Sequence, residues 1–108
     1  MTIAETTNFE TEVFNSDLPV VVYFWATWCQ SCKMMSPHME AMARDNAGRY
    51  RMVKVDIGAN PELADKYNIL STPTMLLFRP GSTKPEEVQV GFAARPWVEQ
   101  NIERFLSR

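Results

Sequence analysis

The stretch FWATWCQSCKMMSP, residues 24–37, contains both cysteines of the 108-residue chain, Cys29 and Cys32. A disulfide between them would close a loop of a few residues, and the stabilisation that a disulfide gives grows with the length of the closed loop. A purely structural crosslink at this spacing would therefore stabilise the chain little. The spacing favours a pair placed for chemistry, and the flanking residues indicate where in the fold it lies.

The residues on either side of the pair predict a buried strand followed by a helix. PVVVYFWA at 19–26 is a continuous run of β-branched and aromatic residues, which is typical of a strand buried on both faces of a parallel sheet. After the pair, apolar residues recur at helical spacing from Cys32 to Met42, so a helix should carry Cys32 on its inward face. Cys29 is then expected beyond the carboxyl end of a strand, where active sites form in such sheets.

The rest of the chain alternates between helical and strand patterns. The predicted elements are a helix at 8–17, a strand at 51–57, a short helix at 61–68, strands at 74–78 and 86–92, and an amphipathic helix at 95–106. Strands separated by helices imply parallel crossovers, and the last two strands imply an antiparallel hairpin. We predict a single α/β domain over 1–108, with a mixed sheet of four to five strands and helices on both faces.

Composition excludes several functional classes. The chain is 45% hydrophobic, with a net charge of −2, so it is globular and has no electrostatic footprint for nucleic acid. No run of about 18 apolar residues predicts a membrane span. Residues 1–10 lack the basic and apolar regions of a signal peptide, so we expect a cytoplasmic protein. In that compartment a CxxC pair is more often catalytic or metal-binding than structural.

The predicted position of the pair suits disulfide exchange. A helix N-terminus stabilises negative charge and so favours the thiolate of Cys29, the form that attacks disulfides. Cys29 would form a mixed disulfide with its target, and Cys32 would resolve it. A metal site needs about four ligands, and His38 is the one further cysteine or histidine, so we expect no metal within one chain. An inert crosslink and a metal site shared between two chains remain alternatives.

FWATWCQSCK resembles the thioredoxin signature, and the similarity covers essentially the whole chain. The matching features are Trp25 and Trp28 before the pair, Lys33 and Pro37 after it, Lys54 in the next strand, STPT around Pro73, and Gly91 in the last strand. The resemblance implies the thioredoxin fold and a protein-disulfide reductase with a redox-active Cys29–Cys32 disulfide. It implies no organic cofactor, protein disulfides as substrates, and a thioredoxin reductase as the electron donor.

The resemblance also implies roles for individual residues. Pro73 would follow a cis peptide bond and lie against the cysteines, and Thr72 would offer its backbone to an extended substrate. We expect an apolar docking rim, which consists of Trp28, Thr72, Pro73, Gly91 and Phe92. The protein is expected to be a monomer that does not bind nucleic acid or membranes.

Two positions depart from the family pattern. The dipeptide between the cysteines is Gln30-Ser31 rather than Gly-Pro, and the Ser31 hydroxyl could donate a hydrogen bond towards Cys29. Tyr23 replaces a buried aspartate that helps move the proton of the second cysteine, which leaves Lys54 without its usual acidic partner. Tyrosine, with a pKa of about 10, is a poor base at neutral pH. These four residues are predicted to tune proton transfer, and the alternatives are a more oxidising oxidase or isomerase and a binding module that has lost turnover.

Overall fold

A five-stranded sheet organises the chain in the computed structural model, which describes residues 2–3 and 8–108. Its strands are β1 (Thr2–Ile3), β2 (Val20–Trp25), β3 (Arg51–Asp56), β4 (Thr74–Phe78) and β5 (Glu87–Val90). They lie in the order β1-β3-β2-β4-β5. The first three strands are parallel, and β4 runs antiparallel to both of its neighbours. The predicted mixed α/β sheet is confirmed.

Helices cover both faces of this sheet, as predicted. They are a π-helix (Glu10–Phe14) and the α-helices α1 (Gln30–Asp45), α2 (Pro61–Lys66) and α3 (Arg95–Leu106). The helices α1 and α3 pack on one face, while the π-helix and α2 pack on the other. The predicted lack of a secretion signal concerns residues 1–10. Of these, residues 1 and 4–7 lie outside the described part of the chain.

The largest difference from the predicted elements is at the start of the chain. The helix expected over 8–17 is a five-residue π-helix. The buried Ser16 ends the helical segment, because its hydroxyl donates to the Leu18 carbonyl at 2.8 Å and accepts from the Leu18 N–H at 3.1 Å. Such local side-chain bonds compete with helix formation. The edge strand β1 was not predicted, since two residues are too few to show an alternating pattern.

Strand β2 separates two hydrophobic cores. Its residues from Val20 to Phe24 are at most 1% exposed, which confirms a strand buried on both faces. One side, which we call the methionine face, contains Val21, Tyr23, Met35, Met39, Met42, Tyr50, Met52, Met75, Leu77, Val98, Ile102 and Phe105. The other side, which we call the aromatic face, contains Phe9, Val13, Val20, Val22, Phe24, Val53, Val55, Leu63, Leu76 and Phe78, with Phe14 and Tyr67 packed against them.

Candidate active site

The cysteine pair lies where β2 gives way to α1. Cys29 is the N-cap residue of α1, and Cys32 lies one turn further in, with a disulfide between them and a Cα–Cα distance of 5.3 Å. Cys29 is partly exposed, whereas Cys32 is 1% exposed and faces the core. The difference in access means that a target disulfide can approach the sulfur of Cys29 but not that of Cys32.

Two polar groups of α1 lie next to the sulfur of Cys29. The backbone N–H of Cys32 donates to Cys29 Sγ at 3.2 Å, and the Ser31 hydroxyl lies 3.4 Å from the same atom. The first turn of α1 contains no acidic side chain, so no carboxylate compensates the positive end of the helix dipole there. These donors stabilise a thiolate on Cys29. Gln30, the other residue between the cysteines, is exposed at the surface.

The loop before β4 lies directly against Cys29. The peptide bond between Thr72 and Pro73 is cis, and the Thr72 carbonyl oxygen is 3.4 Å from Cys29 Sγ. Gly91 donates its N–H to the Pro73 carbonyl at 2.8 Å, with a φ of 95° that a side chain would strain. These contacts bring Thr72, Pro73 and Gly91, three of the five predicted rim residues, to the cysteine pair.

The two aromatic residues of the predicted rim are exposed. Trp28 is 69% exposed and precedes Cys29, while Phe92 is 49% exposed and follows Gly91. The Trp28 ring rests on the turn after β3, because a Cβ at Gly58 would come within 3.0 Å of it. The Asp56 carboxylate accepts the Gly58 N–H at 2.9 Å and holds this turn. Gly58 and Asp56 were not identified from the sequence, since their contact with Trp28 is tertiary.

A polar group is buried behind Cys32. Tyr23 is 1% exposed, and its hydroxyl donates to the Cys32 carbonyl at 3.4 Å and lies 3.0 Å from the Ser36 hydroxyl. Burial raises the pKa of Tyr23, the Ser36 hydrogen bond opposes that shift, and the Glu40 carboxylate adds to it. The ammonium of Lys54 is 3.7 Å from Glu40. The acidic partner that Lys54 was expected to lack is therefore supplied by α1.

Ser36 and Glu40 were missed by the sequence analysis. They follow Cys32 at four and eight residues, so helical spacing places all three on one side of α1. This spacing could have identified Ser36 and Glu40. The acidic partner of Lys54 was instead expected at position 23 on β2, not on α1.

The described residues, 2–3 and 8–108, contain neither a metal-ligand cluster nor a helix suited to spanning a membrane. Within these ranges no group of three or more His, Cys, Asp or Glu side chains is placed to hold a metal ion. No helix there has both the length and the apolar character that crossing a bilayer requires.

A cysteine pair at a helix N-terminus, next to a cis-proline loop at the end of a mixed sheet, defines a thiol–disulfide oxidoreductase. The thioredoxin family model matches residues 1–104. The chain belongs to the thioredoxin family, and its activity is that of a protein-disulfide reductase.

Individual relatives show how far the similarity extends. A thioredoxin of Rickettsia bellii is 40% identical over 99 residues, which cover 88% of this chain and 92% of the relative. Thioredoxin C-2 of Corynebacterium nephridii is 39% identical over 107 residues, 94% of this chain and 97% of the relative. The chloroplastic thioredoxin M4 of Arabidopsis thaliana is 39% identical over 98 residues, 91% of this chain but 50% of the relative. The chain thus spans half the length of the plant protein and nearly all of the bacterial ones.

Proposed function

We propose that Cys29 is the attacking nucleophile and Cys32 the resolving thiol in the reduction of protein disulfides. The Cys29 thiolate attacks one sulfur of the target disulfide, and the other target sulfur leaves as a thiolate. Cys32 then attacks Cys29 Sγ, which releases the second target thiolate and forms the Cys29–Cys32 disulfide. Two electrons pass from the pair to the target. The exposure of Cys29, the burial of Cys32 and the donors around Cys29 Sγ support this order.

We propose that the substrate is an extended protein segment held on an apolar rim of Trp28, Thr72, Pro73, Gly91 and Phe92. The contact between the Thr72 carbonyl and Cys29 Sγ carries this proposal, because a segment paired with the Thr72 backbone would have its disulfide next to the nucleophile. Exposed aromatic side chains such as Trp28 and Phe92 give large contact areas at low entropic cost.

Phe92 and Trp97 form a matched pair for testing the rim. Phe92 is 49% exposed beside the redox site, and Trp97 is 51% exposed on α3. In an insulin-reduction assay we expect Phe92→Ala to lower kcat/KM by about tenfold, equivalent to ~1.4 kcal/mol. Trp97→Ala should leave kcat/KM unchanged. Equal effects of the two substitutions would show that Phe92 has no special place in substrate binding.

We propose that a thioredoxin reductase regenerates the dithiol and that the protein works as a cytoplasmic monomer. Family membership supports the electron donor, and the reducing role suits a compartment in which thiols are kept reduced. NADPH consumption with a thioredoxin reductase and insulin tests the electron donor. Light scattering tests the monomeric state, and cell fractionation tests the cytoplasmic location. A protein that the reductase cannot reduce, while dithiothreitol can, would mean that another donor serves it.

A further inference from the structure

The proton of Cys32 poses a problem that the proposed function leaves open. Cys32 must be a thiolate to resolve the mixed disulfide, but thiols have a pKa of about 8.5, and an apolar environment favours the neutral form. Cys32 is 1% exposed and belongs to the buried side of α1, together with Met35, Met39 and Met42. At neutral pH its proton therefore needs an acceptor that can be reached from inside the fold.

Cys32, Ser36 and Glu40 form a column along α1. They are four residues apart, so they lie on one side of the helix, with about 5–6 Å between successive Cβ atoms. Tyr23 on β2 contacts the middle member through its hydroxyl, 3.0 Å from Ser36 Oγ. Lys54, the register partner of Tyr23 on β3, contacts the last member at 3.7 Å. Two adjacent strands thus hold the hydroxyl and the carboxylate of the column.

A surface cleft gives water access to the start of the column. The cleft is about 300 Å³ in volume and is lined by Trp25, Ala26, Thr27, Cys32, Lys33 and Ser36. This is room for several water molecules. Cys32 and Ser36 both line this cleft, and the Ser36 hydroxyl is a hydrogen-bond partner for water that enters it.

We propose that Glu40 accepts the proton of Cys32 through Ser36 and water, while Tyr23 positions Ser36 and Lys54 positions Glu40. The proposal rests on Cys32 being the resolving thiol. The proton passes from Cys32 to the Glu40 carboxylate, the resulting thiolate attacks Cys29 Sγ, and the Cys29–target bond breaks. The departing target thiolate takes up a proton from solvent. Glu40 returns its own proton to solvent, which resets the relay.

The charged and titratable groups around the column favour Glu40 as the acceptor. They are Lys33 and Glu40 on α1, Tyr23 on β2, Lys54 on β3, and Cys29 itself. Burial raises the pKa of Tyr23, so its phenol stays protonated and can pass a proton but not keep one. Lysine ammonium groups have no acceptor lone pair. His38 is also on α1, but it is exposed and lies two residues from Ser36 and from Glu40, a spacing at which helical side chains do not face each other. The Glu40 carboxylate is therefore the remaining base.

Rapid-quench kinetics of mixed-disulfide resolution test the relay. The reduced protein is mixed with a peptide disulfide, quenched with acid, and the mixed disulfide on Cys29 is quantified by mass spectrometry. We expect Glu40→Gln to slow its resolution by about a hundredfold at neutral pH, the lower end of the range of general-base effects. The deficit should disappear at alkaline pH, where hydroxide deprotonates Cys32 directly. Ser36→Ala should show a smaller deficit with the same pH dependence.

Glu103→Gln is the matched control. It also removes one carboxylate from an ion pair, that of Glu103 with Arg49, and we expect it to leave the resolution rate unchanged. The rate of the first step, mixed-disulfide formation, should be the same in all variants. Equal resolution in Glu40→Gln and the wild type, or a deficit that is constant with pH, would overturn the relay alone. A wild-type protein that forms no mixed disulfide on Cys29 would overturn the nucleophile assignment and the relay together.

Discussion

The two faces of the sheet are packed with different kinds of side chain. On the aromatic face, the rings of Phe9, Phe14, Phe24, Tyr67 and Phe78 form six pairs with centroids 5.5–6.4 Å apart. On the methionine face, five of the twelve buried residues are methionines. Aromatic rings interlock in specific geometries, whereas methionine is unbranched and fills irregular gaps.

The chemistry is confined to one of these faces. Cys32, Tyr23 and the Lys54–Glu40 ion pair all lie on the side of α1. The interlocked aromatic core stabilises the sheet from one side, while the more adaptable methionine core accommodates the buried polar groups that the reaction needs. The aromatic face should therefore dominate stability, and changes on the methionine face should be tolerated better.

The largest expected effect is on the aromatic face. Phe78 is fully buried and contacts the rings of Phe9, Phe14 and Tyr67. We expect Phe78→Ala to lower the free energy of unfolding by about 3–5 kcal/mol, measured by urea denaturation. Activity at a temperature where the variant is folded should be close to normal.

Met39→Leu tests how well the methionine face tolerates a change of side-chain shape. Met39 is fully buried, and a swap that conserves volume should cost less than about 1.5 kcal/mol. A loss well above about 1.5 kcal/mol from Met39→Leu would contradict the expected difference between the faces, because it would mean that the methionine core does not adapt to a change of side-chain shape.

Alkaline pH should destabilise both faces. Burial raises the pKa of Tyr23 and Tyr50 on the methionine face and of Tyr67 on the aromatic face above the ordinary value of 10.0. The neutral phenols therefore contribute stability that is fully present below about pH 10 and is lost as pH rises through the raised values. Urea midpoints that stay constant up to pH values where phenolate absorbance appears would contradict this account.

The smallest expected effect is on the redox potential, which depends on the hydrogen bonds to Cys29 and not on core packing. Ser31 lies 3.4 Å from Cys29 Sγ, where its hydroxyl stabilises the thiolate and hence the reduced form. That stabilisation raises the redox potential, so we predict a value of about −260 to −200 mV, above the roughly −270 mV of thioredoxin. Ser31→Ala should lower the potential by about 30 mV, since ~1.4 kcal/mol corresponds to 30 mV for two electrons.

Equilibration with glutathione buffers measures that potential. Ser31→Thr keeps the hydroxyl and should behave as the wild type. A wild-type potential near −120 mV, that of the oxidase DsbA, would instead favour the oxidase alternative. A potential that Ser31→Ala leaves unchanged would mean that the backbone N–H of Cys32 alone stabilises the thiolate.

The sequence predicted those elements whose burial leaves a strong pattern. Strand β2 was found because both of its faces are apolar, and α1 because Cys32, Met35, Met39 and Met42 repeat with the helical period. The length of the first helix was overestimated, since an apolar pattern does not reveal the Ser16–Leu18 bonds that end it.

The site was predicted less completely than the fold. The position of the cysteines follows from the local pattern, but the Lys54–Glu40 contact joins a strand to a helix that precedes it in the chain. The support of Trp28 by Gly58 is likewise a contact between separate loops. Such pairs depend on the packing of elements, which the periodicity of a single sequence does not specify.

Two trapping variants test directly whether Cys29 is the nucleophile. Cys32→Ser and Cys29→Ser are each reduced, mixed with the same peptide disulfide at neutral pH, and analysed by intact mass spectrometry without reductant. We predict a stable mixed disulfide on Cys29 in the Cys32→Ser protein and almost none in the Cys29→Ser protein. Faster or equal trapping by Cys32 in the Cys29→Ser protein would contradict the assignment of Cys29 as the nucleophile.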